Sequence, residues 1–81
     1  MRKKQIRKAI LAVLNEADPY MLFEHTVLSG INLAIAPPVV LSDFETHLRE
    51  METRRLIIRQ ADSDGDNKIK ITTEGKAALN E

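Results

Sequence analysis

Between Leu56 and Thr72 the chain sets two short β-prone runs on either side of a segment made almost wholly of turn residues. Leu56-Ile57-Ile58-Arg59-Gln60 is rich in β-branched side chains, and Lys68-Ile69-Lys70-Ile71-Thr72 alternates polar and apolar, the period of a strand with one buried face. Ala61-Asp62-Ser63-Asp64-Gly65-Asp66-Asn67 between them is saturated with residues that favour tight turns. Together they read as an antiparallel hairpin with Leu56, Ile58, Ile69 and Ile71 on its apolar face and Ile57 pointing outward. A two-stranded hairpin is at best marginally stable alone in water, so something apolar must be laid on that face.

The remaining periodicity is helical. Ile6, Ile10, Val13, Leu14 and Ala17, with Ala9 beside them, recur at three- and four-residue steps and define a helix over about Lys3 to Glu16. Asp18-Pro19 breaks it, because a residue before proline avoids helical angles. Tyr20-Met21-Leu22 fits either a short strand or a first helical turn capped by Asp18. From Phe23 the pattern is helical again, with Phe23, Val27, Leu28 and Ile31 on one face and Asn32 as terminator. Leu33 to Leu41 contains Pro37-Pro38 and is loop or extended chain. Ser42 followed by Glu45 is a capping box, opening a third helix to about Thr53 or Arg54 whose buried side is Phe44, Leu48 and Met51. Thr72 or Thr73 caps a last short helix through Leu79, which covers the hairpin with Ala78 and Leu79.

The expected fold is therefore α+β: a three-helix core, a β-hairpin and a short final helix, in one domain over residues 1–81. At 81 residues only one domain of ordinary size fits. Hydrophobic residues at 43% and charged residues at 30% belong to a globular chain rather than a disordered one. No stretch approaches the roughly 18 apolar residues of a membrane span, and the basic start lacks the apolar block of a signal peptide. A membrane partner is not expected, and a cytoplasmic location is. The chain has no cysteine, which removes disulfides, thiolate zinc sites and a cysteine nucleophile.

Leu48-Arg49-Glu50-Met51-Glu52-Thr53-Arg54-Arg55-Leu56-Ile57, running on to Ile69-Lys70-Ile71-Thr72-Thr73-Glu74-Gly75-Lys76-Ala77-Ala78-Leu79, resembles the winged helix-turn-helix superfamily. Many bacterial regulators of that kind carry a helix ending in "Leu-x-x-Leu-Glu", a basic or glycine turn and "Leu-Ile". A turn-rich wing and an "Ile-Thr-x-x-Gly-x-x-x-Leu" ending follow. The match covers residues 42–79, and the chain is also similar to short winged-helix proteins of bacterial genomes and Mu-like prophages that have no settled function. The resemblance implies a bacterial DNA-binding transcription regulator whose third helix enters a groove, with residues 61–67 as the wing turn.

Two features depart from the pattern. The connection between the second and third helices runs about nine residues where a helix-turn-helix has three or four. The third helix is acidic, with Asp43, Glu45, Glu50 and Glu52 against Arg49 and Arg54, whereas affinity for DNA comes largely from neutralising phosphates. The formal net charge is zero but unevenly spread: Arg2, Lys3, Lys4, Arg7 and Lys8 crowd the first eight residues without an acid. That basic arm is the strongest nucleic-acid feature of the chain, since such arms lie along phosphates or enter a minor groove. Opposite the buried side of the third helix stand Ser42, Glu45, Thr46, Arg49 and Thr53, of which Thr46 and Arg49 are the expected base or phosphate contacts. Arg59, Lys68 and Lys70 supply support from the hairpin.

Other motifs weigh less. Asp62, Asp64 and Asp66 at alternate positions mimic a calcium loop, but the glycine position holds Asn67, the twelfth position is Thr73 and no helix precedes them. No strong calcium site is expected. His25 and His47 have no acidic spacing that makes a metal site. No nucleophile elbow, phosphate loop or paired-carboxylate motif is present, so neither an enzyme nor a cofactor is expected. Ile35, Pro37, Pro38, Val39 and Val40 make the long loop apolar. It either packs on its own domain or, extended by Ile57, forms a surface for a protein partner or a homodimer. Two functions therefore stand side by side: a module for double-stranded DNA, or a protein-interaction module that kept the scaffold without the reading face.

Overall fold

The computed structural model describes residues 2–80, so both limits of the expected 1–81 domain lie outside the described residues. The elements run α1 (Arg2–Ala17), β1 (Leu22–Phe23), α2 (Glu24–Ala34), α3 (Leu41–Thr53), β2 (Ile57–Ala61), β3 (Asn67–Ile71) and α4 (Thr73–Leu79). The fold is α+β, three helices and a short fourth closed by an antiparallel sheet in the order β1-β3-β2. β3 is central. It pairs Ile71 with Ile57 and Ile69 with Arg59 on one side, and Ile69 with Leu22 on the other. The optional strand before α2 thus forms, beginning two residues after Tyr20 and ending one after Leu22, and takes Phe23 out of the helix.

The helical spacing of α1 buries Ile6, Ile10 and Leu14 as expected and adds Leu11, fully enclosed. These meet Val27 and Ile31 of α2, Phe44, Leu48 and Met51 of α3, and Ile69 and Ile71 of β3 in one cluster. Burial of this apolar surface supplies the main favourable term of folding.

The hairpin face needs correction. Ile57 is 2% exposed and Ile58 is 51% exposed, the reverse of the expected alternation. The cause is the turn after α3. Arg55 adopts a left-handed φ of 64°, its N–H donates to the Glu52 carbonyl at 3.0 Å, and the Leu56 N–H reaches back to the Met51 carbonyl at 2.9 Å. This is a Schellman motif, with Arg55 where glycine is usual. Leu56 packs inward as the last residue of that turn, so the strand begins only at Ile57. Because side chains alternate with a period of two, a one-residue shift exchanges the two faces.

Two more boundaries move. Helix α3 starts at Leu41 with Val40 in the cap position and no side-chain cap, so Ser42 and Glu45 form no capping box. Helix α2 runs past Asn32 to Ala34, which shortens the connection from nine residues to the six of 35–40. Asn32 pins that connection instead: its side chain donates to the Val39 carbonyl at 3.2 Å and accepts from the Val39 N–H at 2.8 Å. Ile35 and Val39 are buried, while Leu33, Val40 and Leu41 are exposed. The apolar loop therefore packs on its own domain through Ile35 and Val39, while Ala36, Pro37, Pro38 and Val40 face outward.

Helix α4 is capped by Thr72, whose Oγ1 accepts from the Gly75 N–H at 2.9 Å. Gly75 sits against the hairpin so closely that a Cβ there would overlap the Leu56 carbonyl oxygen and the Ile71 side chain. The glycine of the "Ile-Thr-x-x-Gly" ending is thus a contact requirement. Asp18, no cap for α2, pairs with Lys76 Nζ at 2.6 Å and ties the end of α1 to α4.

Candidate nucleic-acid interface

With Phe44, Leu48 and Met51 turned inward, helical geometry carries Ser42, Thr46, Arg49 and Thr53 to the opposite side of α3. All four are exposed. Two of the hydroxyls bond back to their own helix, Thr46 Oγ1 to the Ser42 carbonyl at 3.0 Å and Thr53 Oγ1 to the Arg49 carbonyl at 2.9 Å, each retaining acceptor capacity outward. This outermost stripe holds one cation and no acid. A shallow depression of about 320 Å³ at its C-terminal end is lined by Arg49, Glu50, Thr53 and Arg54.

The acids of α3 lie on the two flanks. Asp43 and Glu50 share one with His47, whose Nδ1 is 2.8 Å from the Asp43 carbonyl oxygen, and with Arg54. Glu45 and Glu52 occupy the other, beside β2, where Arg59 receives them. Its Nη2 lies 2.8 Å from Glu24 and 3.3 Å from Glu45, and its Nη1 lies 3.5 Å from Glu52. Arg59 was expected to face DNA. Its side chain is only 16% exposed and surrounded by carboxylates, because the shifted register of β2 turns it inward toward α2 and α3.

The electrostatics of this cluster follow from burial. Desolvation pushes the Glu24 carboxyl above its ordinary range, a hydrogen bond with Glu45 adds to the shift, and Arg59 opposes both without reversing them. Burial by itself would lower the Arg59 pKa. The hydrogen bond to Glu24 and the charges of Glu24, Glu45 and Glu52 outweigh it, and the guanidinium is held above its ordinary value.

The hairpin presents a different face. Lys68 and Lys70 project from β3 away from the core, opposite Gln60 and Ile58 respectively. Lys68 Nζ lies 4.9 Å from the centre of the Phe23 ring, and Phe23 stacks on His25 at 5.5 Å. This cation–π contact steadies the lysine without removing its charge. The wing tip is closed by Asp62, whose Oδ1 accepts from the N–H groups of Asp64 and Asp66 at 2.9 and 3.0 Å, and by Gly65 at a φ of 86°. Among the described residues no group of three or more His, Asp or Glu side chains is placed to hold a metal ion.

The basic arm is the first turns of α1 rather than an extended tail. Lys3 and Lys4 are exposed, Arg7 is half-buried, and Arg2 donates to the Pro37 carbonyl of the α2–α3 connection. The arm's cations thus stand at one end of the molecule, beside the segment leading into α3. Sequence reasoning missed the partners of Arg59. The signal was there only as an uncompensated excess of acid on α3.

No family model matches the chain, and no curated protein matches it. Solved structures do. A MarR-family transcriptional regulator from Silicibacter pomeroyi superimposes with a TM-score of 0.77 at 19% identity, covering 93% of this chain and 46% of that one. A mutant of S. aureus MepR bound to an oligodeoxyribonucleotide gives 0.75 at 18% identity, over 93% and 51%. A PadR-family transcription regulator from Clostridium difficile gives 0.74 at 19%, over 93% and 79%. The chain spans about half the length of the first two. These similarities, all at 18–19% identity, show the winged-helix fold. No described helix is long and apolar enough to cross a membrane.

Proposed function

We infer that residues 1–81 form one winged-helix domain that binds double-stranded DNA as a transcription-regulator module in a bacterial or prophage setting, in the cytoplasm and without catalytic activity. Helix α3 enters the major groove through the stripe of Ser42, Thr46, Arg49 and Thr53, with Arg49 reading or clamping and Thr46 beside it. Arg2, Lys3, Lys4 and Arg7 lie along phosphates next to the start of α3, and Lys68 and Lys70 of the wing add a second basic support. Arg59 leaves the set of contacts. The observation that carries this reading is the absence of acid from the outer stripe, since Glu45 and Glu52 are gathered onto Arg59. The solved winged-helix structure bound to an oligodeoxyribonucleotide shows that this scaffold takes DNA in another protein.

One observation favours a second reading. Leu33 is 91% exposed, and Val40 and Leu41 are exposed beside it at the ends of the α2–α3 connection, an apolar surface suited to a protein partner or a second copy. Ile57 and Val39, formerly grouped with that surface, are buried. A titration with long duplex DNA at low ionic strength separates the readings. The DNA reading expects binding whose salt slope falls by about one for each phosphate-contacting cation removed. Lys3→Ala with Lys4→Ala should weaken binding uniformly across sequences, and Arg49→Ala should also relax sequence preference. No binding at tens of micromolar protein, the order of ordinary non-specific affinities, refutes it in favour of the second.

A further inference from the structure

Arg59 ends among carboxylates drawn from two helices: Glu24 at the start of α2, and Glu45 and Glu52 on α3. Its Nε–H donates to Glu24 Oε2 at 3.0 Å and its Nη2–H to Glu45 Oε2 at 3.3 Å. A planar, five-donor guanidinium meets these acceptors along its edges from one fixed plane; a lysine ammonium has three donors but lacks that fork. Strand β2 would be equally well anchored by an apolar residue at this inward position, since replacing buried ion pairs by apolar side chains is often neutral or stabilising. What an apolar residue could not do is hold three acids.

Two of those acids belong to the helix whose outer stripe would meet DNA. Glu45 and Glu52 flank Ser42, Thr46, Arg49 and Thr53 along one side, within a Debye length of any phosphate lying against the stripe. We propose that Arg59 is a positioning residue of the nucleic-acid interface. It touches no phosphate, offsets one of the three carboxylate charges of Glu24, Glu45 and Glu52 and so lowers the negative charge on this flank of the stripe, and locks β2 to α3 so that Arg49 and the wing lysines keep a fixed relation. The proposal rests on the DNA reading above.

The test compares the wild type with E45Q/E52Q, R59M and R59M/E45Q/E52Q for binding to the same duplex at fixed low salt, with circular dichroism as the check on folding. Partial masking predicts that E45Q/E52Q binds several-fold tighter than the wild type, because one guanidinium leaves part of the charge of three carboxylates uncompensated. R59M should lose about tenfold through the exposed carboxylates. The triple variant should return to within about threefold, with the salt slope of the wild type. Rescue without an arginine at position 59 is an outcome that a direct phosphate contact cannot produce. Persistence of the R59M defect in the triple variant, with a slope lowered by about 0.9, would identify Arg59 as a phosphate ligand and overturn the proposal. Weaker binding by E45Q/E52Q would do the same, as would wild-type affinity in R59M. If R59M fails to fold, the triple variant decides alone: binding within about threefold of the wild type supports masking, and binding about tenfold weaker overturns it. Failure of the wild type itself to bind removes the DNA reading and masking together, an outcome distinct from wild-type binding that is indifferent to Arg59.

Discussion

Replacing Arg55 by glycine should stabilise the protein, although it deletes a whole charged side chain. Arg55 is exposed and holds a φ of 64° in the turn that ends α3. A side chain in that left-handed region costs about 1–2 kcal/mol, because Cβ crowds the following carbonyl oxygen. Glycine removes the crowding but loses more backbone freedom on folding, a cost of about 0.5–1 kcal/mol. The difference is a net gain of up to about 1.5 kcal/mol, or a rise of several degrees in Tm for a domain of this size. Alanine is the control, since Arg55→Ala keeps the Cβ and removes only what lies beyond it. Thermal unfolding followed by circular dichroism at neutral pH should rank glycine above alanine. Arg55→Val should fall below both, because a β-branched side chain tolerates positive φ worst. Glycine below alanine would show that the strain is smaller than the backbone freedom glycine loses, and would refute the predicted gain.

Gly75→Ala should cost about 1–3 kcal/mol, because the new Cβ meets the Leu56 carbonyl oxygen, a backbone atom with little room to yield; a Tm within one degree of the wild type would refute the close contact. Ile57→Ala should cost about 2–5 kcal/mol and Ile58→Ala well under half of that, a ranking read from chemical denaturation and inverted if Ile58 were the buried residue. Glu24 gives a pH prediction. Its carboxyl is raised in the folded protein above an ordinary 4.5, mainly by burial. In the window above that value the folded state therefore binds more protons than the unfolded chain, and the contribution of this group to stability falls as pH rises. Glu24→Gln should flatten that part of the Tm–pH profile, and an unchanged slope would contradict the assignment.

Legibility in the sequence tracked the range of the interactions involved. Ile6, Ile10 and Leu14 declared α1 through spacing alone, and the alternation of Ile69 and Ile71 placed β3 because period-two burial is a local property. The wing turn and the Thr72 cap were equally local. The register of β2 was not, since it depends on a left-handed residue after α3 and arginine gives no hint of that conformation. β1 was ambiguous because two residues carry no period of their own. Thr46 and Arg49 could be placed on the outer side of α3 from helical geometry. Arg59 read as a free cation because its partner Glu24 stands 35 residues away in sequence, and no spacing rule joins them.

The central position of β3 has a consequence for the order in which the molecule can be assembled. Its two neighbours come from distant parts of the chain, β1 from before α2 and β2 from after α3. While a ribosome has delivered only α1 through β2, neither edge strand has anything to pair with, and α1 lacks the covering that Ile69 and Ile71 later provide. Both the local β2–β3 hairpin and the long-range β1–β3 pairing require residues 67–71. That long-range closure sets a slower pace than a bundle of these helices alone would keep. Until it happens, the nascent chain carries a helical hydrophobic surface without its lid.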